Sequence, residues 1–178
     1  MTKIAVLVGS LRNGSINKML AKNLESLAPS GTEFIYLDIN LPLFNQELEA
    51  NLPNEVKNLK NTIESADGVL IVTPEYNRGF PGVLKNAIDW ASRPWGYNSF
   101  KGKPVCITGL SEGPTGTAQA QAQLRNIMIY LDTKLMGQPE LYANFSHIFD
   151  ENNNIIDSTK DHLISYINAV VTHIESNK

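Results

Sequence analysis

The chain has 178 residues, of which 42% are hydrophobic and 19% are charged, and its formal net charge is −3. This composition excludes a disordered chain, and the length predicts a single domain over residues 1–178. The weak charge and the lack of any ~20-residue apolar run give no support for a nucleic-acid or membrane partner. The single cysteine excludes an internal disulfide, and the lack of a secretion signal predicts a cytoplasmic location.

Strand and helix patterns alternate along the chain. The predicted strands are residues 4–8, 33–38, 68–73 and 104–110, with a weaker strand between Lys134 and Tyr142. The predicted helices are residues 19–27, 53–66, 81–92, 117–131 and 160–175. This alternation predicts an α/β fold, with a doubly wound five-stranded parallel sheet in the order 2-1-3-4-5 and helices on both faces.

The remaining connections are expected to be irregular. They are residues 39–53, 93–103 and 147–154, and the last is expected to form an exposed turn, with a short hairpin as a further option. Trp90 and Trp95, close to Tyr97 and Phe100, make the second connection too aromatic for a linker that faces solvent. We expect these aromatic residues to lie at an interface between subunits, and the alternative is that they belong to the core.

Three loops rich in small and polar residues follow predicted strands. They are residues 9–17, 74–82 and 109–116. The carboxyl ends of parallel strands share one edge of a sheet, and in the 2-1-3-4-5 order ligands bind there, where the strand order reverses. The three loops are therefore expected to form one binding site.

The first loop, Gly9-Ser-Leu-Arg-Asn-Gly-Ser15, has the character of an anion site. It joins a strand to a helix N-terminus, and Ser10, Arg12 and Asn17 add donors. A triphosphate loop would need a lysine after Gly14, a dinucleotide loop would need G-x-G-x-x-G, and a low-molecular-weight phosphatase would need a cysteine; the loop has none of these. It suits a single terminal phosphate, and the alternative is that Ser15 only caps the helix after a tight turn.

The second loop, Pro74-Glu-Tyr-Asn-Arg-Gly-Phe-Pro-Gly82, suits a flat ring. Its prolines stiffen the backbone, while Gly79 and Gly82 allow a ligand to approach closely. Tyr76 offers an aromatic face, and the backbone amides of residues 74–77 can donate to a ring nitrogen or carbonyl. The alternative is a proline-rich turn with a packed tyrosine.

These loops and the helices that follow resemble the NADPH-dependent FMN reductase family. The matching stretches are Gly9-Ser-Leu-Arg-x-Gly-Ser-x-Asn17, Pro74-Glu-Tyr-Asn-x-x-x-Pro-Gly82, Leu84-Lys-Asn-Ala-Ile-Asp-Trp90 and Ala118-Gln-x-x-x-x-Leu-Arg125. The resemblance extends over nearly the whole chain. It implies a flavodoxin-like fold, an FMN cofactor, and an activity like that of the quinone, azo-dye and chromate reductases in this family.

The resemblance also implies a set of cofactor-binding residues. The phosphate of FMN would lie against Ser10, Leu11, Arg12, Asn13, Gly14, Ser15, Ile16 and Asn17. The isoalloxazine ring would lie against Pro74, Glu75, Tyr76 and Asn77, with Ser111 nearby. Where the family often has a glycine pair after strand four, this chain has Glu112 and Pro114, which puts its substrate range in doubt. No catalytic side chain and no metal site are implied.

The implied reaction is ping-pong. NADPH or NADH would pass a hydride to flavin N5 and leave, and a quinone, azo compound, chromate or flavin would then take two electrons. Backbone N–H groups of residues 109–116 would stabilise charge at flavin N1 and O2, and water or the Tyr76 hydroxyl would supply a proton. Arg12 and Arg78 are candidates for binding the NADPH phosphates, and the alternative for Arg78 is an ordinary exposed cation in a loop.

The resemblance further implies a homodimer or homotetramer with a small-molecule electron acceptor as its partner. Two other functions remain open at this level. One is a flavodoxin-like FMN electron carrier that serves a partner protein, and the other is a scaffold that uses the same loops to bind a different phosphate.

Overall fold

A computed structural model describes all residues from 1 to 178. Its strands are β1 (Thr2–Val8), β2 (Thr32–Tyr36), β3 (Gly68–Val72), β4 (Pro104–Ser111), β5 (Lys134–Leu135) and β6 (Tyr142–Asn144). These strands pair in parallel in the order β2-β1-β3-β4-β5, and β6 also pairs with β4. The predicted doubly wound order 2-1-3-4-5 is confirmed.

Helices cover both faces of the sheet. They are α1 (Ile16–Leu27), α2 (Asn54–Ser65), α3 (Gly82–Ala91), α4 (Ala118–Tyr130), α5 (Phe145–Ile148) and α6 (Asp157–Asn177). Apolar residues of α1 and α6 pack on one face, and those of α2, α3 and α4 pack on the other. These two apolar layers fix the positions of the strand ends, where the loops begin. No helix has both the length and the apolar character needed to cross a membrane.

The fifth strand differs from the prediction. Instead of one strand between Lys134 and Tyr142, β5 pairs with the start of β4 and β6 pairs with its end. The intervening residues 136–141 include Pro139, which has no N–H to contribute to a sheet. As a result β6 lies directly beside Gly109, Leu110 and Ser111, at the start of the third loop.

The predicted interface role of the aromatic residues is wrong for two of them. Trp90 and Phe100 are fully buried within the chain. Trp90 packs edge-to-face on Phe44 at 4.9 Å between ring centroids, and its Nε1 donates to the Pro42 carbonyl at 2.8 Å. Its position on the inner face of α3 places it in the core, where it anchors the connection after β2. Trp95 and Tyr97, the other two residues of this group, are exposed in the chain, and their interface role stays a prediction.

One further segment is more regular than expected, and a second contains the contact of the short hairpin expected there. Residues Gln46–Asn51, in the connection expected to be irregular, form a 3-10 helix. The segment at 147–154 contains the end of α5, and its turn is closed by an antiparallel bridge between Phe149 and Ile155. Cys106, in β4, is buried, which raises the pKa of its thiol and keeps it protonated.

Candidate cofactor site

The three loops meet in one cleft of about 460 Å³ at the carboxyl edge of the sheet. Residues from the loops after β1, β3 and β4 line it together, as the topology predicts. The lining is mostly polar, and the apolar side chains are few. Such a cleft suits a ligand that is held by hydrogen bonds and charge at one end and by backbone contacts along its length.

The first loop presents unpaired backbone donors. The N–H groups of Leu11, Asn13 and Gly14 have no hydrogen-bond partner within the chain. The Ser15 hydroxyl accepts from the Lys18 N–H at 3.3 Å and so caps α1. The capping role proposed as an alternative therefore exists, but it leaves the loop amides available for an anion at the positive end of the helix.

Arg12 supplies the positive side chain of this loop. Its Nη2 donates to the Gly14 carbonyl at 2.8 Å, which folds the guanidinium back along the loop. No carboxylate of the chain lies within 4.0 Å of it. An unpaired guanidinium beside free amides at a helix N-terminus is the chemistry that a phosphate requires.

The second loop is a tight hairpin turn. The N–H of Tyr76 donates to the Gly79 carbonyl at 2.8 Å, and the N–H of Gly79 donates to the Tyr76 carbonyl at 2.9 Å. The two residues between them have positive φ, 51° at Asn77 and 66° at Arg78, as in a type I′ turn. The turn leaves Tyr76 53% exposed at the cleft. The N–H groups of Glu75 and Asn77 remain unpaired.

Glu75 fastens this turn to the helix that follows the third loop. Its buried carboxylate accepts from the N–H groups of Gln119 and Ala120 at 2.9 and 3.1 Å, at the start of α4. This is a favourable place for a negative charge because the N-terminal end of a helix is positive. Arg78 adds a second link, since its Nη1 donates to Thr115 at 2.9 Å. The second and third loops are therefore linked into one wall of the cleft.

The third loop is closed by its own side chain and by β6. The Ser111 hydroxyl donates to the Gly116 carbonyl at 2.6 Å, and the Asn144 amide donates to the carbonyls of Glu112 and Gly113 at 3.0 Å. The N–H groups of Glu112 and Gly113 have no partner in the chain. The split fifth strand thus has a consequence for the site, because it brings Asn144 to this loop.

Most of the predicted site residues line the main cleft. Ser10, Arg12, Ser15, Ile16, Asn17, Pro74, Glu75, Tyr76, Asn77 and Ser111 line the cleft. Leu11 and Asn13 line a neighbouring cleft, and Gly14 lines neither. The set of predicted cofactor residues did not include Leu110, Arg78, Glu112, Gly113, Pro114, Thr115 and Gly116, which also line the main cleft. Most of these additional residues belong to the run of small residues after β4, which is the feature of the sequence that indicates them.

The geometry fits a phosphorylated planar cofactor such as FMN. Free amides, Arg12 and the α1 N-terminus would suit its phosphate, and the wall formed by the second and third loops would suit its ring. The exposed ring of Tyr76 and the unpaired amides of that wall face the same cleft as the first loop.

Comparisons with known proteins agree with this fit. The family model for NADPH-dependent FMN reductases matches residues 2–147. A 2-hydroxy-1,4-benzoquinone reductase of Burkholderia sp. is 48% identical, over 99% of this chain and 98% of that protein. A quinone reductase of Escherichia coli is 39% identical, over 99% of this chain and 97% of its own length.

Among solved structures, the flavoenzyme NAD(P)H:(acceptor) oxidoreductase FerB of Paracoccus denitrificans has a TM-score of 0.93 to this chain. The two are 43% identical, and the match covers 99% of each. The chain therefore belongs to the NADPH-dependent FMN reductase family, a group of flavodoxin-like oxidoreductases that work with FMN and NAD(P)H.

Proposed function

We propose that this protein is an NAD(P)H:quinone oxidoreductase that uses FMN in a ping-pong reaction. The observation that carries the proposal is the meeting of three strand-end loops in one cleft of about 460 Å³. The names of the Burkholderia and Escherichia coli relatives support a quinone as the acceptor. An electron carrier is not favoured, because these relatives, which match along nearly the whole chain, are named reductases.

The first loop would hold the flavin phosphate. The free N–H groups of Leu11, Asn13 and Gly14 would donate to its oxygens, and Arg12 would neutralise part of its charge. Ser10 and Ser15 also line the cleft, as do Ile16 and Asn17 at the start of α1. The phosphate would thereby also satisfy first-turn amides that α1 leaves without acceptors.

The second and third loops would hold the ring. Bound FMN would supply the two-electron chemistry, accepting a hydride from NAD(P)H and later passing two electrons to the acceptor. The unpaired N–H groups of Glu75 and Asn77 would donate to ring atoms, and those of Glu112 and Gly113 would stabilise negative charge at one ring edge. Pro74 and Ser111 would contact the same ring.

The exposed side chains at the cleft mouth would serve the two substrates. Tyr76 would stack on a flat acceptor and its hydroxyl, or water, would supply a proton. Arg78, whose side chain is 70% exposed, would bind a phosphate of NAD(P)H. The exposed Glu112 carboxylate would disfavour anionic acceptors. We therefore rank neutral quinones above chromate as acceptors, and azo compounds and free flavin are further candidates.

The deciding experiment is anaerobic rapid mixing of the yellow protein with NADPH. We expect the flavin absorbance to bleach within milliseconds to seconds and to return when 1,4-benzoquinone is added. Protein that binds FMN but does not bleach would contradict the reductase proposal. Steady-state rates with both substrates varied should give parallel double-reciprocal lines, and intersecting lines would reject the ping-pong order.

We also propose a homodimer or homotetramer that acts in the cytoplasm. Trp95 and Tyr97 are 78% and 71% exposed in the chain, and aromatic residues are enriched at subunit interfaces. Light scattering after size exclusion tests the assembly, and a monomer would contradict it. Use of NAD(P)H favours the cytoplasm, which cell fractionation tests.

A further inference from the structure

A second cleft, of about 440 Å³, lies between the first loop and the carboxyl end of β2. Ser10 and Arg12 line both clefts, so the loop forms a wall shared between them. The volume is within the range of roughly 300–1,000 Å³ that is common for small-molecule sites. The reaction proposed above uses the backbone N–H groups of Leu11 and Asn13 but none of the side chains that line only this cleft.

The cleft is lined by two cations that form no ion pair. Arg12 and Lys18 both line it, and neither forms an ion pair within the chain. Lys18 lies in the first turn of α1, where a cation is disfavoured by the helix dipole and where the helix has no acidic residue. Lys18 lines only this cleft, so its charge is available to an anion other than the flavin phosphate.

A carboxylate stands at the opposite side of the same cleft. Asp38 lies two residues after the end of β2, and its Oδ1 accepts from the Asn40 N–H at 2.9 Å. Its other oxygen has no hydrogen-bond partner. Because β2 is the neighbour of β1, Asp38 occupies the place where dinucleotide-binding folds use an acidic residue to accept from ribose hydroxyls.

The cleft also has an apolar surface suited to a base. Leu11 is 53% exposed although it is a large apolar side chain, and it lies at the tip of the first loop. Leu37 and Ile39 belong to the same lining. Cations, a free carboxylate and apolar surface around one cavity match the phosphate, sugar and base of a nucleotide.

We propose that this second cleft is a subsite for an adenosine 5′-phosphate group. Lys18 and Arg12 bind its phosphate, Asp38 accepts from its ribose hydroxyls, and Leu11 packs on its base. The same group occurs in FAD, where it continues from the flavin phosphate, and in NAD(P)H. The proposal rests on the proposed function, because it takes the first loop to hold the flavin phosphate.

The test is a calorimetric titration of AMP into the FMN-loaded protein. We expect saturable one-to-one binding that Lys18→Ala weakens about tenfold, since one charge-assisted contact is lost. Lys57→Ala, on the exposed face of α2, is the matched control and should leave AMP binding unchanged. Absence of saturable binding, or binding that Lys18→Ala does not weaken, overturns the subsite.

A second variant examines the sugar. Asp38→Asn keeps the acceptor oxygen used by Asn40 and removes the charge. The unmodified protein should bind AMP more tightly than 2′-deoxy-AMP, and Asp38→Asn should remove this preference. A preference that persists in the variant overturns the assignment of Asp38. Titrations use only yellow protein that reduces benzoquinone, so failure of AMP to bind is separate from failure of the proposed function.

The source of the group is decided by two further measurements on Asp38→Asn. If it belongs to FAD, the variant loses affinity for FAD while its affinity for FMN stays the same. If it belongs to the nicotinamide cosubstrate, the KM for NADH or NADPH rises and FAD affinity stays the same. Either result supports the subsite, and a variant unchanged in both measurements overturns it.

Discussion

The side-chain amide of Asn17 makes two hydrogen bonds to the backbone of Leu110. Its Nδ2 donates to the Leu110 carbonyl, and its Oδ1 accepts from the Leu110 N–H, both at 2.8 Å. Asn17 is 1% exposed, so water does not replace these bonds. One side chain therefore fixes the start of α1, which follows the first loop, relative to the end of β4, where the third loop begins.

Replacing Asn17 by alanine should lower both stability and flavin affinity. The change leaves a buried N–H and a buried carbonyl of Leu110 unpaired, which costs about 2–4 kcal/mol of unfolding free energy for the two groups. We expect this loss of unfolding free energy in urea unfolding of the cofactor-free protein, together with a higher dissociation constant for FMN. Asn168→Ala, on the exposed side of α6, is the control. An unchanged unfolding midpoint in Asn17→Ala would show that the pair does not hold the two loops together.

A charge at position 15 should expel the cofactor without unfolding the chain. Ser15→Asp keeps an N-cap acceptor for α1 but places a carboxylate where the flavin phosphate would bind. We expect purified Ser15→Asp to be colourless, with a thermal midpoint close to that of the cofactor-free parent protein. Ser15→Asn has the same bulk, caps equally well and has no charge, so it should retain far more flavin. A yellow Ser15→Asp protein would reject the assignment of the phosphate to this loop.

The sheet order and the meeting of the loops were predictable because both follow from the β-α alternation and from where the apolar runs end. Contacts between residues far apart in sequence were not. Asn17 reads as a phosphate donor in the sequence, yet its amide bonds to Leu110, 93 positions away. Glu75 reads as a ring contact, yet its carboxylate holds the first turn of α4. Trp90 reads as an interface residue because its partner Phe44 comes from another connection.

Arg78 combines a strained backbone with an exposed cation that also contacts Glu75 and Thr115, and two substitutions separate the strain from the charge. Arg78→Ala removes the charge and keeps a side chain at φ 66°, whereas Arg78→Gly removes both. We expect Arg78→Gly to be more stable than Arg78→Ala by about 1 kcal/mol in urea unfolding, because glycine adopts positive φ without strain.

The same two variants test the cation. Both should raise the KM for NADPH more than that for benzoquinone, and to a similar extent, since both lose the guanidinium. Equal increases in the two Michaelis constants would indicate that Arg78 acts only by linking the second loop to Thr115. A rise in the KM for NADPH confined to one variant would likewise contradict a role of the charge.

Removing the charge of Glu112 should favour an anionic acceptor. Glu112 is exposed at the cleft and has no ion-pair partner. In Glu112→Gln we expect kcat/KM for chromate to rise roughly twofold to fivefold, as is usual for one exposed charge, with no change for neutral 1,4-benzoquinone. The gain should shrink at high salt, since the interaction is screened. Glu151→Gln, which alters an exposed carboxylate outside the cleft, should have no effect on either acceptor.

Gly109 should tolerate no side chain. A Cβ at this position would lie 2.0 Å from the Thr73 carbonyl oxygen and 2.5 Å from the Thr117 hydroxyl, so β3 and β4 would have to separate at the point where their loops begin. We expect Gly109→Ala to lose at least ~3 kcal/mol of unfolding free energy, or to be recovered only as aggregate, because the clash is with backbone.

Gly82→Ala is the matched control, since a Cβ at the first residue of α3 has no atom within 4 Å. That substitution should leave stability unchanged or raise it by up to about 1 kcal/mol. Equal stability of the two variants in urea unfolding would show that the close approach of Gly109 to Thr73 does not set the spacing of the second and third loops.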